Sequence, residues 1–189
     1  SSGDTGCTAT ASADVTEPTM LAATASTSDS LCFGSDDGTI AVTPIGGTAP
    51  YTFSWIASDG GLIPTGQETS GLLSSLAAGD YQVTVLDDNG CQYNETYTIS
   101  EPAQLNLGLA SFIDVSCNGG NDGSLTAQVS GGTPGYTFSL NGTTLTPNNI
   151  NGNLYTFSGL SAAAYSLTVT DTNSCASIIT EVDQTISEP

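Results

Sequence analysis

Five cysteines and nineteen carboxylates are the chemically versatile side chains of this 189-residue sequence, which contains no Lys, Arg or His. Cys7, Cys91 and Cys175 follow one another at intervals of 84 residues, with Cys32 and Cys117 between them. Thiols at repeated positions can join as disulfides. Paired carboxylates can act as acid and base in glycosidic hydrolysis, and the pairs Asp36/Asp37 and Asp87/Asp88 are the candidates. Both pairs sit in expected surface turns, where Asp is favoured for its local hydrogen bonding. Without His or Lys, no Ser or Thr has a conventional side-chain base. The chain is therefore expected not to be an enzyme. For a hard cation the available ligands are carboxylate, amide and carbonyl oxygens, which suit Ca²⁺. Asp36, Asp37, Asp87, Asp88 and Glu101 lie near turns or a module junction, and Asn121, Asp122, Asp171 and Glu188 lie in the corresponding places further on. None has the spacing of an EF-hand loop.

The formal net charge of −19 bears on partners before it bears on fold. Nucleic acid and anionic membrane surfaces repel such a chain, so neither is an expected direct partner. Side-chain salt bridges are impossible, and cations must screen the surface. Disorder is not expected, because hydrophobic residues make up 38% of the chain and fall in short alternating runs. No apolar run approaches the ~18 residues of a membrane span. No leader-type segment is recognisable at the N-terminus, so any targeting sequence has been removed or lies outside these residues.

The elements that must hold these groups emerge from an internal repeat. GGTAPYTFSW at 46–55 returns as GGTPGYTFSL at 131–140, and CFGSDDGTIAV at 32–42 returns as CNGGNDGSLTA at 117–127. SLAAGDYQVTVLDDNGC at 75–91 lies over GLSAAAYSLTVTDTNSC at 159–175, and TISEP closes both copies, at 98–102 and 185–189. Residues 1–18 read as the closing strand of a preceding module, followed by whole modules at 19–102 and 103–189. The chain thus reads as part of a longer array. In YQVTV, Tyr81, Val83 and Val85 share one face, and Tyr165, Leu167 and Val169 do so in the second copy, the period of a half-buried strand. Further strands are expected at 20–26, 38–43, 51–56, 67–73 and 91–99, with Tyr51, Phe53 and Trp55 entering the core. Asn89-Gly90 suggests a type I′ hairpin, which needs positive φ at both positions. About seven short strands per module predict an all-β fold of tandem immunoglobulin-like β-sandwiches with negligible helix. Leu76…Gly79-Asp80-Tyr81 has the form of a tyrosine corner.

A Cys followed by a Gly-rich acidic turn, then GGTAPYTFSW, then LAAGDYQVTVLDDNGC at 76–91, then EP, resembles the SprB repeat of Bacteroidota. Departures in the second copy are Gly135 for Pro, Leu140 for Trp and Ser174 for Gly. The resemblance implies part of a very large cell-surface adhesin of the gliding-motility type. It also implies export by type IX secretion and an extracellular or cell-surface location.

In a secreted chain of small modules, recurring cysteines read as a disulfide framework. Cys32 with Cys91 and Cys117 with Cys175 would each close a loop of about 60 residues, worth roughly 4 kcal/mol in the chain-entropy model. Cys7 would then be unpaired or bonded to another chain. In an immunoglobulin topology, however, the starts of the second and last strands lie at opposite ends of the sandwich, and Cys32 would instead meet Cys175 across the module junction. Buried free thiols are the third arrangement. Asn94 and Asn141 head N-glycan acceptor patterns, and Asp29-Ser30-Leu31 resembles the O-glycosylation motif of Bacteroidota, which marks Ser30. Two functions follow. One is a rigid stalk or filament whose partners are neighbouring repeats or identical subunits. The other is a Ca²⁺-dependent adhesin module that binds surface polysaccharide, with Tyr93, Tyr97 and Tyr155 as candidate exposed aromatics.

Overall fold

The computed structural model describes residues 11–14, 16–177 and 182–189. Every regular element among them is a strand. The first module contains β1 (Ala22–Ser28), β2 (Gly38–Ile45), β3 (Thr52–Ser58), β4 (Leu72–Leu76), β5 (Gly79–Leu86) and β6 (Gln92–Ile99). They form two antiparallel sheets, β1-β2-β4 and β3-β5-β6. The second module contains β7 (Asn106–Ile113), β8 (Gly123–Ser130), β9 (Thr137–Leu140), β10 (Thr143–Leu145), β11 (Asn149–Asn151), β12 (Leu154–Leu160), β13 (Ala163–Thr170) and β14 (Val182–Ile186). Its sheets are β7-β8-β12-β11 and β10-β9-β13-β14. Leaving aside the short β10 and β11, both modules thus set the first, second and fourth strands against the third, fifth and last. This is the strand distribution of an immunoglobulin-like sandwich.

Alternation along the central strands builds the cores. In β5, Gly79, Tyr81, Val83 and Val85 are buried while Gln82 and Leu86 face out. In β8, Gly123, Leu125, Ala127 and Val129 play the same part. Ile40, Val42, Trp55, Leu73, Leu76 and Ile99 complete the first core, with Tyr51 and Phe53 half-buried against it. The second core gathers Leu107, Phe138, Leu140, Phe157, Leu167 and Ile186 among others, and Tyr165 packs half-buried on it. The bulky ring changes sheets between copies. Trp55 on β3 and Leu73 on β4 both lie in the first core, whereas Leu140 on β9 and Phe157 on β12 stand at the equivalent places in the second, an exchange that roughly conserves volume. Phe138 and Phe157 meet edge-on, with ring centroids 5.3 Å apart.

The tyrosine corner is present in both copies. The Tyr81 hydroxyl donates to the Ala77 carbonyl at 2.8 Å, and that of Tyr165 to Ser161 at 3.0 Å. Strand number departs from the expected seven, with six in the first module and eight in the second. The run expected as a strand from residue 67 instead turns, with Ser70 N donating to Gln67 O. The Gln67 side chain then substitutes for a strand partner, accepting from Ser74 N at 2.8 Å and donating to Ser74 O at 3.3 Å. In the second module the short β11 pairs with β12, and Asn148 Oδ1 accepts from Ser158 N just beside it. Of the expected N-terminal closing strand, residues 1–10 and 15 lie outside the described residues. Residues 11–14 and 16–18 are exposed and carry no strand.

Trp55 is buried, and its indole N–H donates to Ser70 O at 2.8 Å. Replacing a large buried aromatic by Ala typically costs ~3–5 kcal/mol. Trp55→Ala should therefore lower one calorimetric transition, that of the first module, and leave the other within error. A uniform shift of both would refute two separately cored modules.

Candidate functional site

Each module carries two structured loops, one at either end, and both are organised by carboxylates. At one end β5 runs into Asp87, whose carboxylate is buried. Its Oδ1 accepts from Asn89 N at 3.0 Å and Cys91 N at 2.8 Å, while Oδ2 accepts from Thr48 N at 2.9 Å. Asp171 repeats all three contacts with Asn173 N, Cys175 N and Thr133 N at 2.9, 2.9 and 2.8 Å. The expected type I′ hairpin is not formed, because only Gly90, at φ 78°, takes the left-handed conformation. The Asp87 carboxylate folds the loop back on itself as an Asx turn, which Gly90 N closes onto Asp87 O at 3.0 Å. Ser174 must hold the same left-handed φ, 65°, where the first copy has glycine. The first glycine of each GGT phrase packs against the chain entering its module: a Cβ on Gly46 would overlap Met20 O, and one on Gly131 would overlap Gln104 O.

At the other end of the first module, residues 29–37 form a compact turn that bears Cys32. Asp37 Oδ1 accepts from Leu31 N at 3.1 Å and from the Ser35 hydroxyl at 2.7 Å. Glu101, from the SEP phrase, accepts from Gly34 N, and Asp29 accepts from Ser100 N at 2.9 Å. The second copy matches these contacts with Asp122 to Ser116 N, Glu188 to Gly119 N and Asp114 to Ser187 N.

The two kinds of loop meet at the module junction. Cys32 is disulfide-bonded to Cys175, 143 residues later, with a Cα–Cα distance of 5.7 Å. Beside it, Asn173 Nδ2 donates to Leu31 O at 3.0 Å. The expected bonds Cys32–Cys91 and Cys117–Cys175 are not present; Cys91 and Cys117 are free and exposed. Geometry supplies the reason. Cys91 immediately precedes β6, whereas Cys32 lies on the turn anchored to Ser100, just past its far end. Eight residues of strand put about 25 Å between the two ends. Cys7 lies outside the described residues.

The other predicted site residues do not converge. The same length of β6 divides Asp36 and Asp37 from Asp87 and Asp88, and among the described residues no group of three or more His, Cys, Asp or Glu could hold an ion. Ser30 is buried, its hydroxyl donating to Ser35 O and Leu76 O, so the folded chain does not present it for modification. Asn94 is exposed on β6, and its Oδ1 accepts from the Thr84 hydroxyl and Gln92. Asn141, also exposed, holds Ser166 N and Ala164 O with its amide. Tyr93 and Tyr97 are half-buried against the first core, where burial pushes the Tyr97 phenol up to about 12. Tyr155 packs between Tyr136 and Phe138. The sequence reading missed Asp87 and Asp171 as loop organisers. Their signal was the fixed spacing from each Asp to the following Cys.

The family model of the SprB repeat matches residues 24–60 and 110–145, spans that run from within β1 past β3 and from within β7 to the end of β10. Each module thus contains one stretch that matches the SprB repeat. Cys32 and Cys117 fall inside the matched spans, and the loops of Asp87 and Asp171 follow them. No curated protein matches the chain. Among solved structures, the fibronectin(III)-like modules of Clostridium thermocellum CbhA align at 14% identity and a TM-score of 0.37, over 87% of this chain and 95% of that one. A Bacteroides ovatus SGBP-B structure with a mixed-linkage heptasaccharide aligns at 14% identity and 0.29, over 89% and 61%. A Dscam structure aligns at 12% and 0.35, over 80% and 41%. The chain thus spans less than two thirds of the SGBP-B and Dscam chains. At such identities and scores nothing about ligands is carried across.

Backbone N–H groups, that of Thr48 foremost, hold the Asp87 carboxyl below the usual carboxylate range against the opposing effect of burial. The Ser35 hydroxyl and Leu31 N–H do the same for Asp37, and the Ser116 hydroxyl and N–H for Asp122. With folded values below unfolded ones, their stabilisation is complete above the ordinary value near 4 and is lost as pH falls through the lowered folded values. Thermal melts should be nearly flat from pH 7 to about 5 and decline below about 4. Asp87→Asn should lower the first-module transition by several degrees at pH 7 and flatten its acid limb. Parallel acid limbs for variant and parent would overturn the role assigned to Asp87.

Proposed function

We propose that this chain is a rigid tandem-repeat segment of a secreted surface protein or extracellular filament, supplying length and surface rather than catalysis. The observation that carries this reading is the clamp between modules. Domains joined by a linker ordinarily move relative to one another, but this linker is tied at both ends. Ser100 holds Asp29 on the first module, and Ala103 O accepts from Gly132 N at 2.7 Å on the second. The Cys32–Cys175 bond and the Asn173–Leu31 hydrogen bond then fix the two modules at a point away from the linker. In the chain-entropy model a crosslink over 143 residues is worth about 5 kcal/mol. Each module has its own core, so much of that constraint falls on the junction. A structural disulfide suits an oxidising, extracellular setting, and the absence of Lys and Arg leaves no trypsin-type cleavage site.

Small-angle scattering of the oxidised chain should give the profile of one extended rigid body. Cys32→Ser should broaden it to that of two jointed modules while leaving both thermal transitions near their original temperatures. An oxidised chain that already scatters as two freely jointed bodies would overturn the reading. A glycan array run with and without Ca²⁺ should show no calcium-dependent binding; a reproducible polysaccharide signal would favour an adhesive module instead.

A further inference from the structure

The junction between the modules has two halves, and each half occurs a second time with no partner half against it among the described residues. One half is the socket on the second module, where Pro102, Leu105, Gly132, Asp171 and Cys175 line one concavity with Cys32 and Phe33 of the first module at its edge. In the first module Pro18, Leu21, Gly47, Asp87 and Cys91 line the same concavity, and it is open. Its backbone is set identically: Gly47 N donates to Thr19 O at 2.7 Å, as Gly132 N does to Ala103 O. Asn89 is held by the Thr48 hydroxyl at 2.9 Å, as Asn173 is by that of Thr133 at 3.1 Å. Asn173 also donates to Leu31 O across the closed junction, a contact that Asn89 has in place to repeat. Met20, at the rim of the open socket, is 85% exposed.

The other half is the plug. Around Cys32, Ser35 N donates to Cys32 O and Glu101 accepts from Gly34 N. Around Cys117, Gly120 N donates to Cys117 O at 2.9 Å and Glu188 accepts from Gly119 N at 2.7 Å. The plug is therefore pre-shaped on the second module, with its thiol exposed.

We propose that copies of this chain join head to tail, the Cys117 turn of one entering the Cys91 socket of the next and forming a Cys117–Cys91 disulfide. The partner surface differs from the donor surface, so the contact does not close on itself, and repetition of it makes a filament. The step is a two-electron oxidation: the two thiols lose two protons and two electrons as their S–S bond forms. A small-molecule disulfide accepts them by thiol–disulfide exchange, its own S–S bond breaking to two thiols. One difference weakens this junction relative to the internal one. Asn118 stands where Phe33 lines the closed socket, so less apolar surface is covered. The proposal extends the clamped-junction reading above, and one experiment separates their failures.

The full chain bearing Cys7→Ser, which removes the competing thiol, is incubated at high concentration in a mixed oxidised and reduced glutathione buffer with salt to screen its charge. Non-reducing gels should show a ladder in steps of 19.0 kDa. Digestion with an acidic-residue-specific protease should yield a Cys117–Cys91 crosslinked peptide. Cys91→Ser and Cys117→Ser should each remain monomeric alone, and their mixture should stop at a dimer. Asn118→Phe should reach half-assembly at a several-fold lower concentration. Symmetric Cys91–Cys91 or Cys117–Cys117 dimers, or thiols that end as glutathione adducts with no ladder, would overturn the proposal. The same peptide map reports Cys32–Cys175. Its absence would overturn the clamped junction itself, whatever becomes of the ladder.

Discussion

A carboxylate that has no side-chain cation to face must be satisfied by N–H groups, hydroxyls or water, and the loops of this chain depend on the first of these. Charge-assisted hydrogen bonds from backbone N–H to a carboxylate are about twice as strong as neutral ones. Here they are used repeatedly, by Asp29, Asp37, Asp87 and Glu101 in one module and by Asp114, Asp122, Asp171 and Glu188 in the next. Each such acid gathers amides that would otherwise be left unpaired at the ends of strands. Much of the negative charge thus lies in the loop architecture rather than on featureless surface. The chain can then dispense with Lys and Arg without leaving its turns unorganised.

The covalent chemistry follows from that electrostatic arrangement. Cys175 is presented by a loop whose amide is held by Asp171, and Cys32 by a turn braced through Asp37 and Glu101. A disulfide needs its two Cα atoms within about 7 Å and its Cβ vectors converging. Two flexible loops would meet that condition only briefly, whereas two loops rigidified by their own carboxylates hold the thiols in reach. The SEP phrase connects the levels, since Glu101 braces the turn bearing Cys32 while Ser100 and Pro102 begin the linker to the next module.

The fold was legible because its signal is local. Period-two runs such as Tyr81-Val83-Val85 declare their buried face, and the repeat doubled every observation. The tyrosine corner could be read from the spacing of Leu76 and Tyr81 alone. What could not be read locally was anything that depends on which ends of strands adjoin. Whether Cys32 meets Cys91 or Cys175 is decided by the length of β6 and by how one sandwich sits on the next, and neither is written in the spacing of cysteines. The type I′ expectation failed for a related reason. Asn89-Gly90 favours that turn in isolation, but the Asp87 carboxylate reaches Asn89 N and Cys91 N and selects another. The Asp36/Asp37 and Asp87/Asp88 pairs are parted for the same reason, since the length of β6 lies between them.

Comparing the two modules shows which features the architecture leaves free. Core positions exchange size, Trp55 and Leu73 against Leu140 and Phe157, and tolerate it because volume is roughly conserved across the sandwich. Loop decoration differs outright, with residues 59–71 of one copy standing where the other has β10 and β11. By contrast, the Asp–Asn–Cys set of the socket and the Cys, Asp and Glu set of the plug are the same residue types in both copies, with closely similar hydrogen bonds. If the sandwich alone were being maintained, the buried positions should vary least and the exposed loops most. The reverse holds at these two ends. These ends order the loops of their own modules, and at the internal junction one end of each kind meets the other, with Cys32 bonded to Cys175 and Asn173 donating to Leu31 O.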